Sequence, residues 1–216
     1  MIPTDVLAIF YFSLLVSFGA VVSPGPVSAA ILSEAPRKGW RVGPLIALGH
    51  TSLELILVVL ISLGLAVIMK APTIRIIISA VGGLVLLWIG AGYALAGWKN
   101  RMHLPNPDQH IAPRSSLSLI GLGMLTTLSN PFWYTWWVTV AAGYLAQAQA
   151  ISVAAVGAFY VGHISADFAW DTALATATGA GQRWLSQRAY RALILITGGF
   201  MIYLGVVYCA HALDSL

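Results

Sequence analysis

The chain of 216 residues is 59% hydrophobic and only 8% charged, with a mean hydropathy of +0.85, whereas soluble domains carry about 25% charged residues. That composition excludes a soluble enzyme and places the protein in a lipid bilayer. The net charge of +4 and the pI near 9.4 then belong to basic loops flanking membrane spans, not to a nucleic-acid partner.

Apolar stretches long enough to cross about 30 Å of hydrocarbon fall at residues 5–36, 42–69, 73–97, 116–145, 151–178 and 190–212. Their continuous apolar character is wrong for barrel strands, which alternate over about ten residues. The expectation is therefore an all-α integral membrane protein with six transmembrane helices, and no segment is left for a soluble catalytic domain. The start "MIPTDVLAIFYF" lacks the basic n-region of a secretory signal, so the first span is expected to be retained. Cys209 is the single cysteine, which excludes a disulfide within the chain and a thiol–disulfide electron carrier.

The first span carries an anomaly in "AVVSPGPVSAA", Ala20 to Ala30. Helix-breaking prolines cost about 3 kcal/mol each inside a helix, so the break at Ser23, Pro24, Gly25 and Pro26 calls for a compensating role. A second break, "SNPF" at Ser129 to Phe132, interrupts the fourth span. After each break a new helix is expected to begin, with Pro26 or Pro131 in its first turn, where a missing N–H costs little. The free N–H groups of such a helix start attract a carboxylate or other anion.

The second and fifth spans carry "LGHTSLE" and "VGHISAD", a Gly-His pair followed by an acid four residues after the histidine. His50 and Glu54 therefore share one helix face, as do His163, Asp167 and Asp171. An acid at that depth costs at least about 2.5 kcal/mol and is read by default as functional. Glu54, Asp167 and Asp171, with Ser23, Pro24, Gly25, Pro26, Asn130 and Pro131 at the breaks, are candidates for substrate binding, and His50, Glu54, His163 and Asp167 for proton coupling, because buried carboxyl and imidazole groups bring proton exchange within reach near neutral pH. In the third and sixth spans Gly83, Gly90 and Tyr93 correspond to Gly198, Gly205 and Tyr208. The glycines here, with Gly82, Gly92 and Gly199, are expected at close-packed helix contacts. Of "PFWYTWW", Pro131 to Trp137, part is expected in the interfacial belt and one or two rings at the site, where an ammonium group would find cation–π contact.

Matching breaks, Gly-His-acid sets and glycines in the same order point to duplication of a three-helix unit. The units are residues 1–97 and 116–216, joined by a linker at 98–115. A repeat of three spans enters the bilayer from the opposite side the second time, so the halves are inverted, an architecture of secondary transporters. Nine of the eleven basic residues lie in the odd-numbered connections. That bias puts those connections in the cytoplasm and both termini outside. His103 and His110 in the linker lack acids or cysteines at ligand spacing and are not assigned a metal.

"SPGP" ending the first half-span, followed by "RKGWRVG" and a second span, with "SNP" opening the second half, resembles the lysine exporter (LysE) family, including its homoserine and threonine exporter group. Pro24, Gly25 and Pro26 match its first motif, and Asn130 and Pro131 its second. Phe132 stands where members commonly carry a lysine. The resemblance implies a multi-pass protein of a prokaryotic inner (plasma) membrane that exports an amino acid, driven by the proton gradient, with no cofactor and with a homodimer as its expected assembly. With three intramembrane acids and no buried base, a zwitterionic or cationic solute is favoured over an anion. The alternative is a divalent metal-ion transporter using His50, Glu54, His163 and Asp167 as ligands. An intramembrane metalloenzyme is disfavoured because no H-E-x-x-H pattern is present.

Overall fold

The computed structural model describes residues 2–64, 71–99, 101, 114–179 and 186–214. Among these the chain is helical, without strands, as required where lipid offers no partner for backbone N–H and C=O groups. The first span is two half-helices, α1 (Val6–Val21) and α2 (Pro26–Lys38), parted at Pro24 and Gly25. A 3₁₀ turn, Gly39–Arg41, leads into α3 (Val42–Ser62), and α4 (Pro72–Trp98) follows. The second half repeats the plan with α5 (Ser116–Leu128), a break at Asn130, then α6 (Pro131–Trp136). A π-helical turn, Trp137–Ala141, joins α6 to α7 (Ala142–Ile151). The long helices α8 (Val153–Gly179) and α9 (Gln187–Asp214) complete the chain. At 1.5 Å per residue α4, α8 and α9 reach about 40 Å, whereas α1 and α5 fall short of the bilayer and end near its middle.

Packing exchanges elements between the halves. Helix α1 lies on α8, α5 lies on α3, and α4 lies along α9. The α4–α9 contact is made by glycine. A Cβ on Gly83 would stand 3.1 Å from the Gly205 carbonyl, and one on Gly90 would stand 2.9 Å from that of Gly198. Pairing of 83 with 205 and of 90 with 198 runs the two helices antiparallel, and the substitution of each glycine by its repeat partner turns one pair into the other. This exchange is what two inverted three-helix repeats would produce. Gly82 packs on Pro131, with a Cβ 2.6 Å from the proline Cβ, but Gly92 and Gly199 face open space, contrary to their expected place at close contacts.

Polar ties sort the ends of the molecule. At one end Arg114 Nε meets Glu34 Oε1 at 3.0 Å, Lys38 Nζ donates to the Arg114 carbonyl (2.8 Å) and Arg191 Nε to that of Gly97 (2.8 Å). These residues border the three basic connections. At the other end Ile2 N donates to Gln147 Oε1 (3.0 Å) and Gln149 Nε2 to the Ser62 carbonyl (3.1 Å), which gathers the N-terminus with the even-numbered connections. Most of the predicted linker, including His103 and His110, lies outside the described residues, as does the tail of the second predicted span beyond residue 64.

Candidate functional site

Helices α3 and α8 cross at mid-molecule and turn their Gly-His-acid faces toward each other. Glu54 is fully buried, and His163, Asp167 and Asp171 are each 3% exposed. Four side-chain nitrogens surround Glu54 Oε1: His163 Nε2 at 2.9 Å, His50 Nε2 at 3.1 Å, Trp133 Nε1 at 3.1 Å and Trp137 Nε1 at 3.2 Å. Asp167 sits across from it, with Oδ1 3.6 Å from His50 Nε2 and Oδ2 3.6 Å from His163 Nε2. Glu54 and Asp167 occupy equivalent places in the two repeats, yet their surroundings differ. Glu54 Oε1 has four nitrogens within 3.2 Å, whereas the nearest nitrogens to Asp167 stand at 3.6 Å; Asp167 Oδ2, like Glu54 Oε2, is buried and has no hydrogen-bond partner among the described residues.

The far nitrogen of each imidazole is held by a hydroxyl from the first span of one half. Thr127 Oγ1 lies 2.6 Å from His50 Nδ1, and Ser17 Oγ lies 2.6 Å from His163 Nδ1. Both hydroxyls are completely buried. They orient the rings so that both Nε2 atoms face the carboxyl groups. Neither residue is among those expected from sequence. A signal was present: Asp5 and Ser115 cap α1 and α5 by accepting from Ala8 N and Ser118 N, and Ser17 and Thr127 each follow their cap by twelve residues. A Thr127→Val variant is expected to strand His50 Nδ1 in an apolar setting, at a cost of about 1–3 kcal/mol, while Thr127→Ser stays near wild type. Thermal melting of the purified protein checks this.

The breaks open onto the same place. A cavity of about 70 Å³ is walled by Ser23, Pro24 and Gly25 from the first break, by Asn130 from the second, and by His50, Glu54, His163, Asp167 and Asp171. At about 10–15 Å³ for each water, that is room for several. Pro26 and Pro131 do not line it. They occupy the first turns of α2 and α6, where the fixed φ suits a helix start. The two helix starts differ. Helix α2 has Gly25 at its N-cap, no side-chain cap, and Val27 and Ser28 in the cavity wall. At α6 the Asn130 Oδ1 accepts from Phe132 N at 3.1 Å, so one of its free N–H groups is already taken.

The aromatic cluster contributes more than one or two rings. Trp133, Trp136 and Trp137 are all buried and all line the cavity, with Phe132 beside them. Trp136 stacks on His163 with ring centroids 4.6 Å apart and planes at 20°, and Trp137 meets the same imidazole edge-on at 5.1 Å. The interfacial belt therefore accounts for less of this stretch than its composition suggested, because Trp133, Trp136 and Trp137 stand at i, i+3 and i+4 and share the helix face that lines the cavity.

The sequence matches the LysE type translocator family over residues 17–211, a range that holds both breaks and every residue of the chamber. The chain belongs to the LysE type translocator family. No curated protein and no solved structure matches it. Members of this family are translocators, and membership makes the protein a multi-pass membrane protein of the kind that exports amino acids or related small molecules. In this translocator both broken helices and both Gly-His-acid faces meet in one buried polar chamber.

Proposed function

We propose that this translocator exports a small amino acid, or a comparable zwitterionic or cationic metabolite, in exchange for protons. The observation carrying this reading is that one cavity holds an uncapped helix start on one wall and unsaturated acid on another. The N–H groups at the start of α2, with the hydroxyls of Ser23 and Ser28, suit the solute's carboxylate. Asp167 and Asp171, on one face of α8 beside Trp136, suit its ammonium group. Asn130 lies opposite, at the second break. Glu54, within hydrogen-bond reach of both imidazoles, is placed to pass a proton to or from His50 and His163 while Asp167 engages the solute. Movement of the α1–α8 pair against the α3–α5 pair would expose this chamber to alternate sides.

The charge bias puts the basic end in the cytoplasm of a prokaryotic cell and both termini outside. Units 1–97 and 116–216 are the two repeats, and a homodimer is the assembly in keeping with the family. A second reading rests on one observation: His50, Glu54 and Asp167 offer ligand atoms within 4.8 Å of one another, a spacing suited to a divalent cation as cargo. Against it, two indole N–H groups point at the Glu54 oxygen, and they would face the bound cation.

A panel of amino acids and a panel of divalent metals, each tested for thermal stabilisation of the purified protein, separates the readings, since a ligand that binds only the native state raises the melting temperature. Amino acids are expected to stabilise wild type and to lose that effect in Asp167→Asn. Efflux of the stabilising solute from loaded vesicles should fall at least tenfold in Glu54→Gln and Asp167→Asn. Unchanged efflux in both variants refutes the proposal, and stabilisation by metals alone transfers the site to the second reading.

A further inference from the structure

A second cavity, of about 480 Å³, adjoins the chamber and shares two wall residues with it, Phe132 and Leu204. It lies between α4, α6 and α9 and runs from mid-molecule to the terminal end. There Arg75, in the first turn of α4, and His211, in the last turn of α9, form its rim, with Arg75 Nη2 3.4 Å from His211 Nε2. Its walls are mixed: Ser79, Thr135 and Tyr208 stand among apolar residues, and Tyr208 donates to Thr135 Oγ1 at 3.0 Å. Hydroxyl groups and an arginine in one groove are out of place against hydrocarbon and suit a surface wetted by water.

The opposite end is shut by repeat-related contacts. Tyr93, the partner of Tyr208 in the first half, donates to the Ala29 carbonyl of α2 at 2.7 Å, and Tyr190 donates to the Leu32 carbonyl at 2.8 Å. The Arg114–Glu34 pair lies beyond them. Helix α2 is therefore sealed against α4 and α9, while its counterpart α6 borders an open space.

We propose that the larger cavity is the exit vestibule of the translocator and a second subsite for a carboxylate-bearing solute, whose carboxylate is drawn to Arg75. Phe132 and Leu204 are the barrier that separates it from the chamber. The inference rests on the transport reading above.

Thiol labelling in lipid nanodiscs tests it without a known solute. In a Cys209→Ala background, Val207→Cys reports on the vestibule and Ser28→Cys on the chamber. The probes are a sulfonate-bearing and a trimethylammonium-bearing methanethiosulfonate. Cysteine at 207 is expected to react with both, the sulfonate at least threefold faster, and Arg75→Gln to abolish that preference. Cysteine at 28 is expected to react slowly, and Phe132→Ala or Leu204→Ala to speed it at least tenfold. Reaction at 207 only with membrane-soluble N-ethylmaleimide would mean that lipid fills the groove and would overturn the proposal. So would a charge preference untouched by Arg75→Gln, or a chamber rate unchanged in both barrier variants. The 207 and Arg75 measurements stand even if a barrier variant does not fold. Labelling as expected with no efflux of any solute would instead count against the transport reading.

Discussion

Glu54→Ala is expected to lower the melting temperature by roughly 6–20 °C and to abolish transport, whereas Glu54→Gln keeps most of the stability and still loses transport. The side chain is buried, and four nitrogens from His50, His163, Trp133 and Trp137 converge on its Oε1 within 3.2 Å. Truncation leaves all four without that acceptor. A buried polar group left unpaired costs about 1–3 kcal/mol, and removal of one partner from a buried charged pair costs about 3–5 kcal/mol. The losses overlap, since the four share one atom and do not add, so about 3–5 kcal/mol is the expected total. For a chain of this size 1 kcal/mol corresponds to about 2–4 °C. Glutamine keeps a carbonyl acceptor for the indoles but carries no exchangeable proton for the imidazoles. Melting curves read the first effect and vesicle efflux the second. An alanine variant that melts with wild type would show that the cluster contributes nothing to holding α3, α6 and α8 together.

The features legible in the sequence are those that an apolar span cannot hide. Glu54, Asp167 and Asp171 stand out because carboxylates in a hydrophobic run have no bland explanation, and the i, i+4 spacing from His50 and His163 already fixes a common face. Both breaks meet at the acids because duplication brings equivalent elements to one axis. Ser17 and Thr127 were harder to see. A hydroxyl in a span satisfies itself on its own helix, as Thr127 does on the Gly123 carbonyl at 2.7 Å, so its presence carries no cost that would flag it. Unequal spacing from Ser17 to the first break and from Thr127 to the second also masked their match. The inward turn of the indoles is hidden for a different reason. Belt and chamber use the same residue types, and the i, i+3, i+4 spacing puts Trp133, Trp136 and Trp137 on one helix face without fixing whether that face turns to lipid or to the chamber. The unequal helix starts are readable in the sequence: glycine at 25 has no side chain with which to cap α2, while asparagine at 130 caps α6.

Gly123→Ala is expected to disable the translocator although the residue touches no solute, and Gly121→Ala, two positions away on the same helix, to leave it intact. A Cβ on Gly123 would collide with the Ile46 carbonyl oxygen and stand 3.0 Å from its carbon, because α3 and α5 cross there backbone to backbone. A Cβ on Gly49 would likewise strike the Ile120 carbonyl. Relief requires the two helices to part, since neither obstacle is the free end of a side chain. One turn beyond this crossing on each helix stand Thr127 and His50, whose 2.6 Å contact cannot survive such a separation. Overpacking of this kind costs about 1–3 kcal/mol even where side chains can adjust, and here at least the upper part of that range is expected, with efflux falling in parallel. A Cβ on Gly121 meets nothing within 4 Å, so alanine there should be neutral or stabilise by up to about 1 kcal/mol through helix propensity. The same contrast should hold in the other half. A Cβ on Gly162 would meet Ser13 Cβ at 2.9 Å on α1, the helix that brings Ser17 to His163, and Gly157 faces open space. If Gly123→Ala and Gly162→Ala melt and transport like their open-face neighbours, the close crossings are not what positions the imidazoles. If only the crossing-point variants fail, the two-fold exchange of packing sets both the fold and the geometry of the chamber.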